Sequence, residues 1–80
     1  TDKLELYPNP AKDQLTVSTE QAIENITITN VIGQNILNNS YPNDKAKKYT
    51  CDVSGLLAGV YFVTVRSGGK TLTKKFIVIR

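Results

Sequence analysis

The stretch GVYFVTVRSGGKTLTKKFIVIR, from Gly59 to Arg80, decides the fold, because it reads as two long strands joined by a tight turn at Ser67-Gly68-Gly69-Lys70. Gly68 and Gly69 supply the positive φ that a two-residue primed turn needs. Both flanks are rich in β-branched and aromatic residues, so the register of the hairpin is well defined. Val60 to Val65 is apolar on both faces apart from Thr64, as expected of a strand near the middle of a packed sandwich. Thr71 to Lys75 mixes apolar with cationic positions before Phe76-Ile77-Val78-Ile79 closes the stretch.

Working outward, the rest is a string of shorter strands punctuated by turn residues. Leu4-Glu5-Leu6-Tyr7 alternates and stops at Tyr7-Pro8-Asn9-Pro10, where two prolines remove backbone donors and force an extended turn, which predicts a short edge strand. Gln14-Leu15-Thr16-Val17-Ser18 and Asn25-Ile26-Thr27-Ile28-Thr29 alternate cleanly, placing Leu15, Val17, Ile26 and Ile28 inward. Asn30-Val31-Ile32-Gly33-Gln34 reads as a type I turn closed by Gly33 in the left-handed region. Ile36 to Asn39 continues as a fourth strand, Ser40 to Lys47 as the longest loop, and Tyr49 to Val53 as a fifth strand. Ser54 to Gly59 is too short for a helix but suits a single turn that drops Leu56 into the core, with Asp52 or Ser54 as its cap. Seven short strands at spacings of about eight to twelve residues predict an all-β, immunoglobulin-like antiparallel sandwich with Greek-key connections. A small barrel is the runner-up.

Eighty residues make a single domain, 1–80, able to bury about 60% of the surface its unfolded chain exposes. Apolar content of 40% with 21% charged residues belongs to a globular chain, and the apolar runs are too short to span a membrane as helices. The N-terminal stretch shows no pattern of a cleaved secretion signal. The net charge of +3 comes from ten cationic against seven acidic side chains, too mild and too free of interleaved aromatics to predict nucleic-acid binding.

Candidate catalytic groups are sparse. The one cysteine, Cys51, alternates with Tyr49 and Val53 and reads as a small buried hydrophobe. The chain has no histidine, which removes the commonest general base and metal ligand. Glu5, Asp13, Glu20, Glu24, Asp44 and Asp52 show neither calcium-loop spacing nor a forced pair. No catalytic residue, metal or cofactor is expected.

Leu4-Glu5-Leu6-Tyr7-Pro8-Asn9-Pro10, then Leu15, Asn30-Val31-Ile32-Gly33-Gln34, Asp52 to Tyr61, Gly69 and finally Lys75-Phe76-Ile77-Val78-Ile79-Arg80 follow in this order over nearly the whole chain. This succession resembles the C-terminal sorting domain of type IX secretion substrates, type A, also called the Por secretion system C-terminal domain. The resemblance implies an address at the end of a larger surface or secreted protein. It implies a cargo that crosses the inner membrane by its own signal, folds in the periplasm and is selected by the outer-membrane translocon. It further implies that a sortase-like cysteine protease removes the domain, with attachment of the cargo to the cell surface.

A signal read after folding has to be a surface. The expected one is the final strand, Thr71 to Ile79, with an open edge for a partner strand and with Lys74, Lys75, Phe76, Ile77, Val78, Ile79 and Arg80 as recognition residues. Pro8, Asn9, Pro10, Gly33, Gln34, Asp52, Leu56, Gly59, Tyr61 and Gly69 are expected to serve structure. Tyr61 should point inward with Val63 and Val65, its hydroxyl on a backbone partner as in the tyrosine corner of related sandwiches. The competing function is a carbohydrate-binding or spacer module on a secreted hydrolase; sugar binding wants two or more aromatics arrayed on one open face, for which only Tyr7, Tyr41 and Tyr49 remain once Tyr61 is in the core. Dimerisation through edge strands is compatible with the sorting role.

Overall fold

The computed structural model describes residues 4–8, 10–40 and 45–79. Its strands are β1 (Leu4–Tyr7), β2 (Gln14–Thr19), β3 (Ile23–Asn30), β4 (Asn35–Ser40), β5 (Lys48–Asp52), β6 (Gly59–Ser67) and β7 (Lys70–Val78). They form two antiparallel sheets in the orders β1-β2-β5 and β4-β3-β6-β7. The chain passes between the sheets at β2–β3, β4–β5 and β5–β6, which is the Greek-key sandwich the sequence predicts. As expected, β1 is short and lies at an edge.

Alternation explains which residues fill the space between the layers. Leu15 and Val17 of β2, Ile26 and Ile28 of β3, Tyr61, Val63 and Val65 of β6, and Phe76 and Val78 of β7 are buried in one cluster. Leu4, Leu6, Leu37, Tyr49 and Leu56 pack on its margin. Cys51 belongs to the same cluster, where burial pushes its pKa up, so the thiol stays protonated at neutral pH and should react slowly with thiol reagents until the domain unfolds. The expectation for β6 needs one correction. It is central in its sheet, but Val60, Phe62 and Thr64 on the opposite row are only half-buried, because no further layer covers them.

Both glycine turns take the predicted form. Gly68 and Gly69 have φ of 59° and 79° between the register partners Ser67 and Lys70. A Cβ on Gly68 would run into the Gln21 side chain, so this glycine also makes room for that side chain of the β2–β3 crossover. The buried hydroxyls of Ser67 and Thr19 both donate to the Gln21 carbonyl and lock that contact. Gly68→Val should cost about 1–2 kcal/mol in left-handed strain alone, read as a lowered Tm, whereas Gly55→Ala, which meets open space, should leave the melt unchanged.

Tyr61 forms the expected corner at the start of β6. Its hydroxyl donates to the Leu57 carbonyl at 2.7 Å, and its ring stacks on Phe76 with centroids 5.7 Å apart. Tyr61→Phe should therefore lose about 0.5–1.5 kcal/mol and loosen the loop before β6, measurable as faster amide exchange there.

Candidate functional site

The registers bring the distinctive sequence segments to one pole of the sandwich. Asn30 lies opposite Tyr61, which lies opposite Phe76, so the end of β3, the start of β6 and the end of β7 share that pole. Tyr7 pairs with Thr16 and Gln14 with Asp52, which brings the end of β1 and the end of β5 together on the other sheet. Ala11 joins the two layers. It is fully buried, pairs in parallel with Val78, donates its N–H to the Ile77 carbonyl at 2.7 Å and accepts from the Ile79 N–H at 2.9 Å. The proline turn, the Gly33 turn, the Asp52–Gly59 loop and the terminal strand thus meet, although they are far apart in sequence.

Each segment is held by its own polar residues. Asn30 Oδ1 accepts the N–H groups of Ile32 and Gln34 at 3.1 and 3.0 Å, and Asn30 Nδ2 donates to Gln34 Oε1 at 3.0 Å. The Gly33 N–H closes the turn on the Asn30 carbonyl at 3.0 Å with a φ of 85°, so Gly33 and Gln34 both take part in the turn's hydrogen bonding. Asp52 Oδ1 accepts the Ser54 N–H at 2.9 Å and the Ser54 hydroxyl at 2.7 Å. Asp52 is therefore the cap and Ser54 the donor, and Leu56 packs half-buried against the core beyond it.

Those bonds from Ser54 hold the Asp52 carboxyl below the ordinary carboxylate range. A depressed pKa contributes stability above the unfolded value and loses it as the pH falls through the folded one. The turn should stay intact at neutral pH and relax only in acid, with a carboxyl titration midpoint by NMR below that of free aspartate. Asp52→Asn, which keeps an accepting oxygen, should remove this acid dependence without loosening the turn at pH 7.

The terminal strand divides its side chains between two environments, so the expected recognition stretch is not one surface. Phe76 and Val78 are buried, and Lys74 lies in their row, its Nζ reaching the Leu4 carbonyl at 3.1 Å to bridge the two edge strands β7 and β1. Lys75, Ile77 and Ile79 point away from the core and are exposed. Arg80 and Asn9 lie outside the described residues, as does Tyr41. Pro8 and Pro10 are exposed, and Gly59 has a φ of 155° beside its partner Val78. The edge of β7 is open only in part. The backbones of Thr71, Thr73 and Lys75 alternate outward from β6, but from Ile77 onward the edge is occupied by Ala11.

Periodicity gave no reason to single out Val31, Ile32 and Leu57, which are 67%, 74% and 82% exposed at this pole. The available signal was a pair of β-branched apolar residues at the two central positions of a turn, where polar residues are usual. On the three-stranded side of the pole, Pro8, Lys12, Asp13, Gln14, Asp52 and Ser54 line a shallow open depression. Among the described residues, no three His, Cys, Asp or Glu side chains are grouped to hold a metal ion. Among the described residues, Tyr7 and Tyr49 do not share an open face for sugar stacking: Tyr49 packs on the core margin, while Tyr7 is exposed next to Leu6, which packs inward.

A family model described as the secretion system C-terminal sorting domain matches residues 5–79. The chain therefore belongs to the type IX secretion C-terminal sorting domain family, a family of sorting signals that is generally non-catalytic. Membership makes this β-sandwich a signal that works with the secretion machinery and directs export to the cell surface or the extracellular space. No curated protein matches the chain.

Proposed function

We propose that residues 1–80 act as one C-terminal sorting domain, read as a folded surface by the type IX outer-membrane translocon while linked to an N-terminal cargo. The cargo folds in the periplasm in transit. A sortase-like cysteine protease then cuts the domain away, and the cargo is delivered to the outer membrane or the extracellular space. The domain itself does no chemistry and needs no cofactor. The observation that carries this reading is the meeting of the four distinctive segments at one pole, on a backbone fixed by Ala11, Asn30, Asp52 and Tyr61.

Within this reading, the terminal strand is the handle, through Lys75, Ile77 and Ile79 on its outward row together with Arg80, which lies outside the described residues, while Lys74, Phe76 and Val78 hold that row in place. Reversal of Lys74 then has a structural cost as well, because it removes the bond to Leu4. An edge-strand partner would pair with β7 between Thr71 and Lys75. Lys70, Lys74 and Lys75 along that edge disfavour a second copy and favour an acidic strand.

The test is to fuse Thr1 to Arg80 behind a periplasmic fluorescent protein in a cell that possesses the type IX apparatus. Surface fluorescence that requires the domain is expected. Retention of the fusion in the periplasm would refute the address.

A further inference from the structure

We propose that the motif-bearing pole, where the β3–β4 turn with Val31 and Ile32 adjoins the outward row of Phe62, Lys75 and Ile77 on the four-stranded sheet, is where a protein receptor of the export machinery docks. The matching receptor surface is apolar, with an acidic group opposite Lys75. The inference rests on the sorting reading above and adds to it the surface and the chemistry of the partner.

Four observations lead there. The first is that apolarity on this face is local. Toward the opposite pole the same face is a hydrogen-bonded polar ladder, in which Asn25 Nδ2 donates to Asn38 Oδ1 and Ser40 Oγ at 3.0 Å and Thr64 pairs with Thr73 at 3.2 Å. The second is that Val31 and Ile32 lie outside the core. Asn30 and Gly33 set the turn, and the two apolar side chains project 67% and 74% exposed from its tip. Such residues on a rigid turn suit a partner that buries them.

The third is charge. Phe62 and Lys75 are register partners in the outward row, next to Ile77 opposite Val60. Glu24, the acidic residue of β3, lies toward the other pole, 3.7 Å from Arg66. Among the described residues, this end of the face thus offers a cation and no carboxylate, so a second copy docking through the same patch brings nothing to meet Lys75. One cation is also far short of the cluster that draws a protein to an anionic bilayer. The fourth is access. Leu4 pairs with Thr19 and Tyr7 with Thr16, so β1 begins at the far pole, and a cargo joined ahead of it leaves this face clear. The long axis of the domain is 33 Å.

The experiment uses the reporter fused to residues 1–80 in cells with the type IX apparatus, comparing the unaltered domain with V31D/I32D, Lys75→Glu and Lys75→Arg. The double variant should export at least tenfold less with an unchanged Tm. Lys75→Glu should export several-fold less and Lys75→Arg normally. Normal export of the folded double variant overturns the docking face while leaving the sorting reading intact, whereas failure of the unaltered domain to export overturns the sorting reading first. Two further outcomes also overturn the proposal: a dimer in sedimentation that the double variant abolishes, and binding to phosphatidylglycerol vesicles that the double variant abolishes.

Discussion

Phe76→Ala should remove about 3–5 kcal/mol of stability, the largest loss from any single truncation in this domain. Phe76 is fully buried and stacks on Tyr61, so the change opens a cavity beside the corner that fixes the loop before β6. At the usual ~0.05–0.15 kcal/mol per residue, a chain of 80 residues has about 4–12 kcal/mol in all, so this one change removes a large share of it. The variant should unfold at or near growth temperature, which a thermal melt by circular dichroism will report. Export of its cargo should fail for that reason alone, and Phe76→Leu, which keeps an apolar side chain in the site, should restore both.

Deleting Phe76 to Arg80 should have a still larger effect, complete loss of the fold. It takes Phe76 and Val78 out of the core and removes the carbonyl of Ile77 and the N–H of Ile79, the two partners by which Ala11 joins the sheets. The expected readout is a heteronuclear spectrum collapsed to random-coil shifts. A block in export caused by this deletion is therefore uninformative about recognition. Outward-facing substitutions at Lys75 and Ile77 are the informative ones, since exposed side chains contribute little to stability.

The parts of this fold legible in the sequence are those with local causes. The inward rows of β2 and β3 follow from strict alternation, and the two tight hairpins follow from Gly33 and from Gly68-Gly69, which enter positive φ without strain. The inward Tyr61 was legible from its alternation with Val63 and Val65, and a backbone partner for its hydroxyl from the tyrosine corner of related sandwiches, whereas Leu57 as that partner comes from the structure. The role of Ala11 was not, because Pro10-Ala11-Lys12-Asp13 has neither alternation nor β-forming side chains. Only the parallel pairing with Val78, a contact across most of the chain, turns it into the clasp between layers.

The candidate site divides the same way. The expected recognition run, Lys74 to Arg80, is continuous in sequence, but a period of two splits its described part, Lys74 to Ile79, between core and solvent. Lys74 faces inward like its neighbours Phe76 and Val78 but carries an ammonium on a long stem, which reaches past the edge to Leu4. Val31 and Ile32 join the terminal strand at one pole only through the pairing of β3 with β6 and of β6 with β7, and no local pattern encodes that arrangement.

The claim beneath all of this is that the address is a folded surface and not a linear peptide. Val63→Ala, a core truncation beneath no exposed segment, lowers the melting temperature without touching the pole. Export of a reporter carrying this variant should be measured as a function of temperature alongside the melt of the isolated domain. Normal export below the variant's Tm and a loss of export with the same midpoint as the melt are expected. Export that continues unchanged at temperatures where the domain is unfolded would contradict that claim.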